Sequence, residues 1–125
     1  MDGSRYEAGK ALRAEVLGPE YVARSFAEAD EFTRPLQELI TEYCWGAVWT
    51  RPGLDRKTRS LLNLAMLAAM GRTHELALHL RGALRNGCTK EEIREVFLQV
   101  AVYAGTPAAL EAFRTAKAVF AGQEG

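Results

Sequence analysis

The sequence predicts an all-α protein, and three observations lead to this expectation. Apolar residues recur at three- and four-residue intervals along most of the chain. Glycine and proline divide it into segments of helix length, most clearly at Gly18-Pro19, at residues 50–53 and at residues 105–107. No segment has a convincing strand pattern. With 125 residues, we expect one domain over residues 1–125 that contains about six helices.

The N-terminal half is predicted to hold three helices. The first covers residues 5–17 and stops at Gly18-Pro19, which is a strong helix breaker. A short helix over residues 21–29 follows. The third covers residues 35–48, because apolar side chains recur there at helical spacing: Leu36, Leu39, Ile40, Tyr43 and Ala47.

The C-terminal half is predicted to hold four helices. Asp55 can cap a helix that runs to Met70 and is closed by Gly71. This helix is apolar almost all round, so we expect burial at the centre of the fold or against another subunit. The next begins near Thr73 and ends at residues 86–87. A capping box at residues 89–92 opens another, and the last covers residues 107–121.

Composition excludes several classes of function. The formal net charge is zero, with 16 basic and 16 acidic residues, and no segment concentrates lysine and arginine, so we do not expect nucleic acid as a partner. No apolar run is long enough to span a membrane, and the first residues lack the apolar region of a signal peptide. Cys44 and Cys88 form no Cys-x-x-Cys pair and are expected to be reduced thiols. We therefore expect a cytoplasmic protein.

Arg72, Glu75 and His79 are the candidate site residues that the spacing brings together. On an ideal helix Glu75 and His79 are separated by about 40° around the axis, and Arg72 and His79 by about 20°. A cation, a carboxylate and an imidazole on one stripe suit acid–base chemistry on an anionic substrate. The alternative is a solvated face with ordinary side-chain pairs, each worth about 0.2–0.5 kcal/mol.

His74 lies about 140° from His79 and faces elsewhere. The two histidines are five residues apart, whereas the zinc-binding pattern of metalloproteases places them four apart on one helix. No metal site is therefore predicted.

Three segments carry a resemblance to a known family: HLRGALRNG at residues 79–87, TKEEI at residues 89–93 and YAGTPAA at residues 103–109. They resemble the carboxymuconolactone decarboxylase family, which includes the alkylhydroperoxidase D proteins. The block YCWGAVWTRPGLDRKTRSLL at residues 43–62 is similar to the decarboxylase branch of that family. The resemblance implies a compact helical subunit that assembles into trimers or hexamers.

The redox branch of the family carries a Cys-x-x-Cys-x-x-x-His motif whose histidine corresponds to His79. Its two cysteines correspond to Arg72 and Glu75 here, and its glutamate proton relay corresponds to Ser60. Because these parts of the thiol machinery are absent, thiol peroxidase or disulfide chemistry is the less favoured alternative. A non-catalytic helical oligomer is a third interpretation.

The resemblance implies that the chain decarboxylates a small lactone dicarboxylate, 4-carboxymuconolactone, without a cofactor, in the protocatechuate branch of the β-ketoadipate pathway. Electrons from the departing carboxylate flow through a double bond to the lactone carbonyl, and the intermediate is protonated on carbon. Glu75 or His79 is the expected proton donor, and the residues leave both open.

The remaining candidates bind substrate. Arg72, Arg51 and Arg59 are candidates for the carboxylates, because guanidinium groups bind them with a planar fork. Trp45 and Trp49 share a helix face and either wall the pocket or belong to an apolar core or interface. His74 could reach the site of a neighbouring subunit.

Overall fold

The computed structural model describes residues 3–122, and this part of the chain is helical without a β-strand. The all-α expectation is confirmed. The chain divides into two compact units, Met1–Asp55 and Arg56–Gly125. The elements of the first are α1 (Ser4–Leu17), α2 (Pro19–Glu28), α3 (Arg34–Leu39) and a π-helix (Ile40–Trp49). Those of the second are α4 (Arg56–Met70), α5 (Thr73–Arg85), α6 (Lys90–Tyr103) and α7 (Thr106–Phe120).

The π-helix is the main difference from the prediction, which extended an α-helix through residues 35–48. The apolar stripe behind that prediction is largely exposed, with Leu36, Leu39 and Tyr43 all more than 40% accessible. The buried residues are instead Thr41, Trp45, Gly46 and Trp49. Their spacing of four and five residues fits the wider turn of a π-helix, whose hydrogen bonds join residues five apart.

Close backbone packing in the N-terminal unit accounts for two glycines inside its helices. A Cβ atom at Gly9 would overlap the carbonyl oxygen of Thr41 and come within 2.6 Å of the backbone nitrogen of Gly46. A Cβ atom at Gly46 would overlap the carbonyl oxygen of Arg5. A glycine inside a helix costs roughly 0.5–1 kcal/mol relative to alanine. In this unit the two glycines allow α1 and the π-helix to approach more closely than any residue with a Cβ atom would permit.

Arg13 connects the helices of the N-terminal unit. Its side chain is buried, and its Nη1 atom donates hydrogen bonds to Oε1 of Gln37 (3.0 Å) and Oγ1 of Thr41 (3.3 Å). The guanidinium also lies 5.9 Å from the ring centroid of Phe26 on α2. Burial lowers the pKa of Arg13, because a charged group loses its hydration there. The polar partners and the ring compensate part of that loss.

The C-terminal unit is built from four helices around an apolar core. α4 packs on α5, α6 and α7, and α7 also packs on α5 and α6. Phe97 is fully buried and meets Phe113 edge to face, with ring centroids 5.7 Å apart. Each large aliphatic or aromatic side chain buried in such a core contributes about 1.5–3 kcal/mol.

Glycines end two of these helices in the predicted way. Gly71 (φ 72°) and Gly87 (φ 90°) adopt the left-handed conformation that favours glycine. After α4, the N–H of Gly71 donates to the carbonyl of Ala68, and the N–H of Arg72 donates to the carbonyl of Leu67. This is a Schellman motif, and it lets α5 begin at the next residue.

The start of α6 is stabilised by the predicted capping box. Oγ1 of Thr89 accepts from the N–H of Glu92, and Oε1 of Glu92 accepts from the N–H of Thr89. The other carboxylate oxygen of Glu92 lies 2.7 Å from Nζ of Lys57 on α4. Asn86 Nδ2 donates to Oγ of the buried Ser60 at 2.9 Å. These contacts fasten the first turns of α4 to the end of α5 and the start of α6.

Gly9→Ala is expected to lower the free energy of unfolding by about 1–3 kcal/mol, because the added methyl group meets backbone atoms that have no room to move. Both tryptophans lie in the same unit, so urea denaturation followed by tryptophan fluorescence measures this effect. Gly53→Ala is the control, since its Cβ atom would meet nothing within 4 Å. Equal stability of Gly9→Ala and the parent would contradict the close contact.

Glu92→Gln is expected to reduce the loss of folding stability that occurs as pH falls. The hydrogen bond from Lys57, followed by that from the Thr89 N–H, lowers the pKa of Glu92 below 4.5, so the unfolded chain binds its proton first as pH falls. The contribution of the carboxylate is therefore complete above about pH 5 and is lost as pH falls through the lower, folded-state pKa.

Thermal unfolding between about pH 6 and pH 3 tests this linkage. The stability difference between the parent and Glu92→Gln should shrink toward the acid end. A difference that stays constant with pH would contradict the assignment.

Candidate functional site

α5 carries the predicted site residues beside a face that is fixed in the core. Leu76 and Leu80 are buried, together with Ala83 one turn further on. Their burial sets the rotation of the helix about its axis, since turning it would expose them to water. Glu75 and His79 lie on α5, one turn apart, where Cβ atoms are about 5–6 Å from each other. The structure therefore brings together the two candidate proton donors.

Burial increases along this stripe. Glu75, in the first turn of α5, is exposed, whereas His79, the middle residue of the 13-residue helix, is half-buried. The Nδ1 atom of His79 is buried. The stripe thus combines a hydrated carboxylate with an imidazole in a drier setting.

Arg72 occupies a different position from the one that helix geometry predicts. Its backbone dihedral angles (φ −91°, ψ 74°) are not helical, so the angle of about 20° to His79 does not apply. Arg72 is the N-cap of α5, and its carbonyl oxygen accepts from the N–H of Leu76 at 2.8 Å. The backbone of Arg72 is therefore fixed at the beginning of α5 by the turn after α4.

Arg72 and Glu75 are charged groups without an ion-pair partner within residues 3–122. The interpretation of this face as a set of ordinary surface salt bridges is therefore wrong for these two residues. In addition, no side chain of the described chain caps the first turn of α5. Its positive macrodipole end favours negative charge, as does the neighbouring guanidinium.

The other candidates in the C-terminal unit are Arg59 and His74. Arg59 is half-buried in the first turns of α4, next to the Ser60–Asn86 hydrogen bond at the end of α5. It therefore belongs to the opposite end of the α4–α5 pair from Arg72. His74 is exposed on a different face, as predicted, and lines a groove of about 320 Å³ between α5 and α7.

The groove beside His74 was not predicted from the sequence. Its lining is mostly apolar, with Thr73, Ala77, Thr115, Ala118 and Val119 around the imidazole. A sequence pattern could find the α5 residues from their spacing. It could not find the α7 residues that line the groove, because their position opposite α5 depends on how the two helices pack.

Trp45, Trp49 and Arg51 belong to the N-terminal unit. The two indole rings stack with centroids 4.6 Å apart and planes at 18°, so the prediction that they share a face is confirmed. Both are buried, whereas Arg51 is exposed in the loop after the π-helix. That these three residues contribute to the same site as Glu75 and His79 stays a prediction.

Two cysteines remain outside the stripe. Cys88 is buried after α5, with its Sγ atom 3.5 Å from the carbonyl oxygen of Lys57, and Cys44 is exposed on the π-helix. Both are free thiols. Ser60, at the position of the redox-branch proton relay, is buried and hydrogen-bonded to Asn86, which gives it a structural role.

No helix within residues 3–122 has the length and apolar character needed to cross a membrane.

Comparisons with known proteins give matches over most of the chain. A sequence profile described as the Carboxymuconolactone decarboxylase family matches residues 34–118. A nitrosuccinic acid decarboxylase of Metarhizium robertsii is 54% identical over 86% of this chain and 75% of its own length. A 4-carboxymuconolactone decarboxylase of Acinetobacter baylyi is 45% identical over 95% of this chain and 89% of its own. An uncharacterised 15.0 kDa protein of Paracoccus denitrificans is 33% identical over 92% of this chain and 94% of its own length.

Proposed function

Because this chain belongs to the carboxymuconolactone decarboxylase family, we propose that it is a carboxy-lyase that converts 4-carboxymuconolactone to 3-oxoadipate enol-lactone and CO2 without a cofactor. The near full-length similarity to a 4-carboxymuconolactone decarboxylase carries this proposal. The stripe on α5 supports it, since acid–base side chains stand there at the positions of the redox-branch cysteines. A thiol peroxidase would need those cysteines.

The chemistry assigns a separate task to each part of the stripe. Arg72 binds a carboxylate of the dianionic substrate, and the positive end of α5 adds to this attraction. The bond to the departing carboxylate breaks, and its electron pair moves through the double bond to the lactone carbonyl oxygen. A proton then adds to the carbon next to that carbonyl, so one dianion and one proton give a monoanion and CO2.

Glu75 or His79 delivers the proton. Repulsion from a substrate carboxylate would favour protonated Glu75, which is the donor form. Protonated His79 would donate the proton and would also attract the dianionic substrate. The half-buried position of His79 favours a role close to the developing oxyanion, because electrostatic stabilisation is stronger where water is excluded.

Nitrosuccinate is a second candidate substrate, favoured by the 54% identity to a nitrosuccinic acid decarboxylase. Its nitro group can take up the electron pair as a nitronate, which is then protonated on carbon to give 3-nitropropanoate. Decarboxylation of nitrosuccinate and of 4-carboxymuconolactone by this protein, compared through kcat/KM, decides which substrate is preferred.

The proposed location is the cytoplasm, where both thiols would stay reduced.

Glu75→Gln is expected to lower kcat for decarboxylation about 10²–10⁴-fold, with a much smaller change in KM, because a positioned proton donor acts mainly in the transition state. NMR of freshly generated 4-carboxymuconolactone, corrected for the uncatalysed reaction, measures this. Glu91→Gln is the matched control, since Glu91 is an exposed glutamate in the first turn of α6. An unchanged kcat in Glu75→Gln would remove Glu75 from the mechanism and leave His79.

We further propose that the protein acts as a homo-oligomer, a trimer or hexamer. α4 is apolar almost all round, and only part of it is buried in its own unit. Leu62, Met66 and Met70 form an exposed stripe on it, with about half of each side chain accessible. An adjoining apolar groove of about 370 Å³ lies between α4 and α6. Contiguous exposed apolar surface of this kind marks association surfaces.

Met66→Glu is expected to shift the protein to smaller species in sedimentation velocity, because a carboxylate would lose its hydration in an apolar interface. Leu110→Glu on α7 is the control, since Leu110 is a similarly exposed apolar residue away from this stripe. An identical oligomer in both variants and the parent would contradict the assignment of the α4 stripe.

A further inference from the structure

The two proposed substrates contain the same fragment. In nitrosuccinate, C2 of a succinate carries the departing carboxylate, a CH2–COO⁻ arm and a nitro group. In 4-carboxymuconolactone, the ring carbon that loses CO2 also carries a CH2–COO⁻ arm, and the unsaturated lactone takes the place of the nitro group. Each compound is therefore a succinate dianion whose C2 bears an acceptor that ends in oxygen. The acceptors differ in size, shape and position of protonation.

Resting on the proposed function, we propose that the site recognises this fragment: a succinate dianion that bears an oxygen-terminated electron acceptor at C2. The substrate class then extends to 2-acylsuccinates, in which a ketone oxygen receives the electron pair. For 2-acetylsuccinate the C2–carboxylate bond breaks, the pair forms an enolate, and a proton on C2 gives 4-oxopentanoate and CO2. The step needs one proton and no oxidant, reductant or cofactor.

The charged residues at the start of α5 suit a substrate in which one carboxylate stays and the other departs. The CH2–COO⁻ arm keeps its charge through the reaction, whereas the departing carboxylate loses its charge as CO2 forms. A strong ion pair to the departing group would stabilise the ground state and slow the reaction. Binding energy is better applied to the arm, which fixes the orientation of the breaking bond. Arg72, exposed at the N-terminus of α5 and without an ion-pair partner in residues 3–122, is the cation placed for the arm.

The acceptor then extends toward the more buried end of the stripe. The stripe runs from exposed Glu75, in the first turn of α5 after Arg72, to half-buried His79. Negative charge develops on the acceptor oxygen only during the reaction. A drier environment therefore costs the substrate little before bond cleavage and strengthens the interaction with an imidazole donor during it. This arrangement requires an acceptor that ends in oxygen and not a particular ring or nitro group.

The test compares succinates with analogues that lack the charged arm. The substrates are 4-carboxymuconolactone, nitrosuccinate and 2-acetylsuccinate. In the analogues 2-nitropropanoate and 2-methyl-3-oxobutanoate a methyl group replaces the arm, and in 3-carbamoyl-2-nitropropanoate an uncharged amide of the same size replaces its carboxylate. NMR follows each decarboxylation with the full-length parent protein, and the uncatalysed rate of each compound is subtracted.

We expect acceleration of all three succinates, with kcat/KM about 10- to 100-fold lower for each analogue that lacks the charged arm, the loss that removal of a charge-assisted hydrogen bond produces. Equal acceleration of nitrosuccinate and its amide would overturn the proposal, as would acceleration of 4-carboxymuconolactone or nitrosuccinate without any of 2-acetylsuccinate. Failure of the folded protein to accelerate any compound would instead overturn the proposed decarboxylase function, so the two failures are distinguishable.

Discussion

The candidate site depends on the burial of the face of α5 that does not carry it. Leu76, Leu80 and Ala83 hold that face in the core of the C-terminal unit, and an amphipathic helix with one buried face has one stable rotation. Glu75 and His79 then lie one turn apart beside this buried face. The apolar residues supply the stability, and the charged residues remain available for chemistry.

The fastening of both ends of α5 adds precision to this arrangement. Its beginning follows directly from the Schellman motif of α4, and its end is tied to α4 by Asn86 and Ser60. A helix held at both ends and along one face loses little entropy when a ligand binds to the free face. Such rigidity suits a cofactor-free reaction, in which orientation and a positioned proton donor supply the catalysis.

The sequence predicted well what depends on local rules. The helix ends at Gly71 and Gly87 and the Thr89–Glu92 capping box follow from side chains a few residues apart, and all were found. The π-helix was missed, because apolar residues at three- and four-residue spacing predicted an α-helix there, whereas the buried residues follow the wider spacing. Buried Arg13 was missed because its partners are 24 and 28 residues away in sequence.

Within the site, helical spacing identified the pair formed by Glu75 and His79 but not the geometry of Arg72. A helical wheel treats every residue as helical, and Arg72 stands one residue outside the helix with a different backbone conformation. The groove between α5 and α7 also lay beyond sequence reasoning, because its two walls come from segments about 40 residues apart. Local periodicity predicts which side chains share a helix face, and tertiary packing decides what stands opposite them.

The turn at Arg72 has a consequence for how this family can change its chemistry. Every hydrogen bond that closes the turn is made by the backbone: the N–H of Arg72 bonds to Leu67, its carbonyl accepts from Leu76, and Gly71 alone carries the unusual dihedral angle. The side chain at position 72 is exposed and has no part in holding the turn. A thiol or a guanidinium can therefore stand at the same point without refolding the protein. The scaffold therefore separates stability from reactivity at this position.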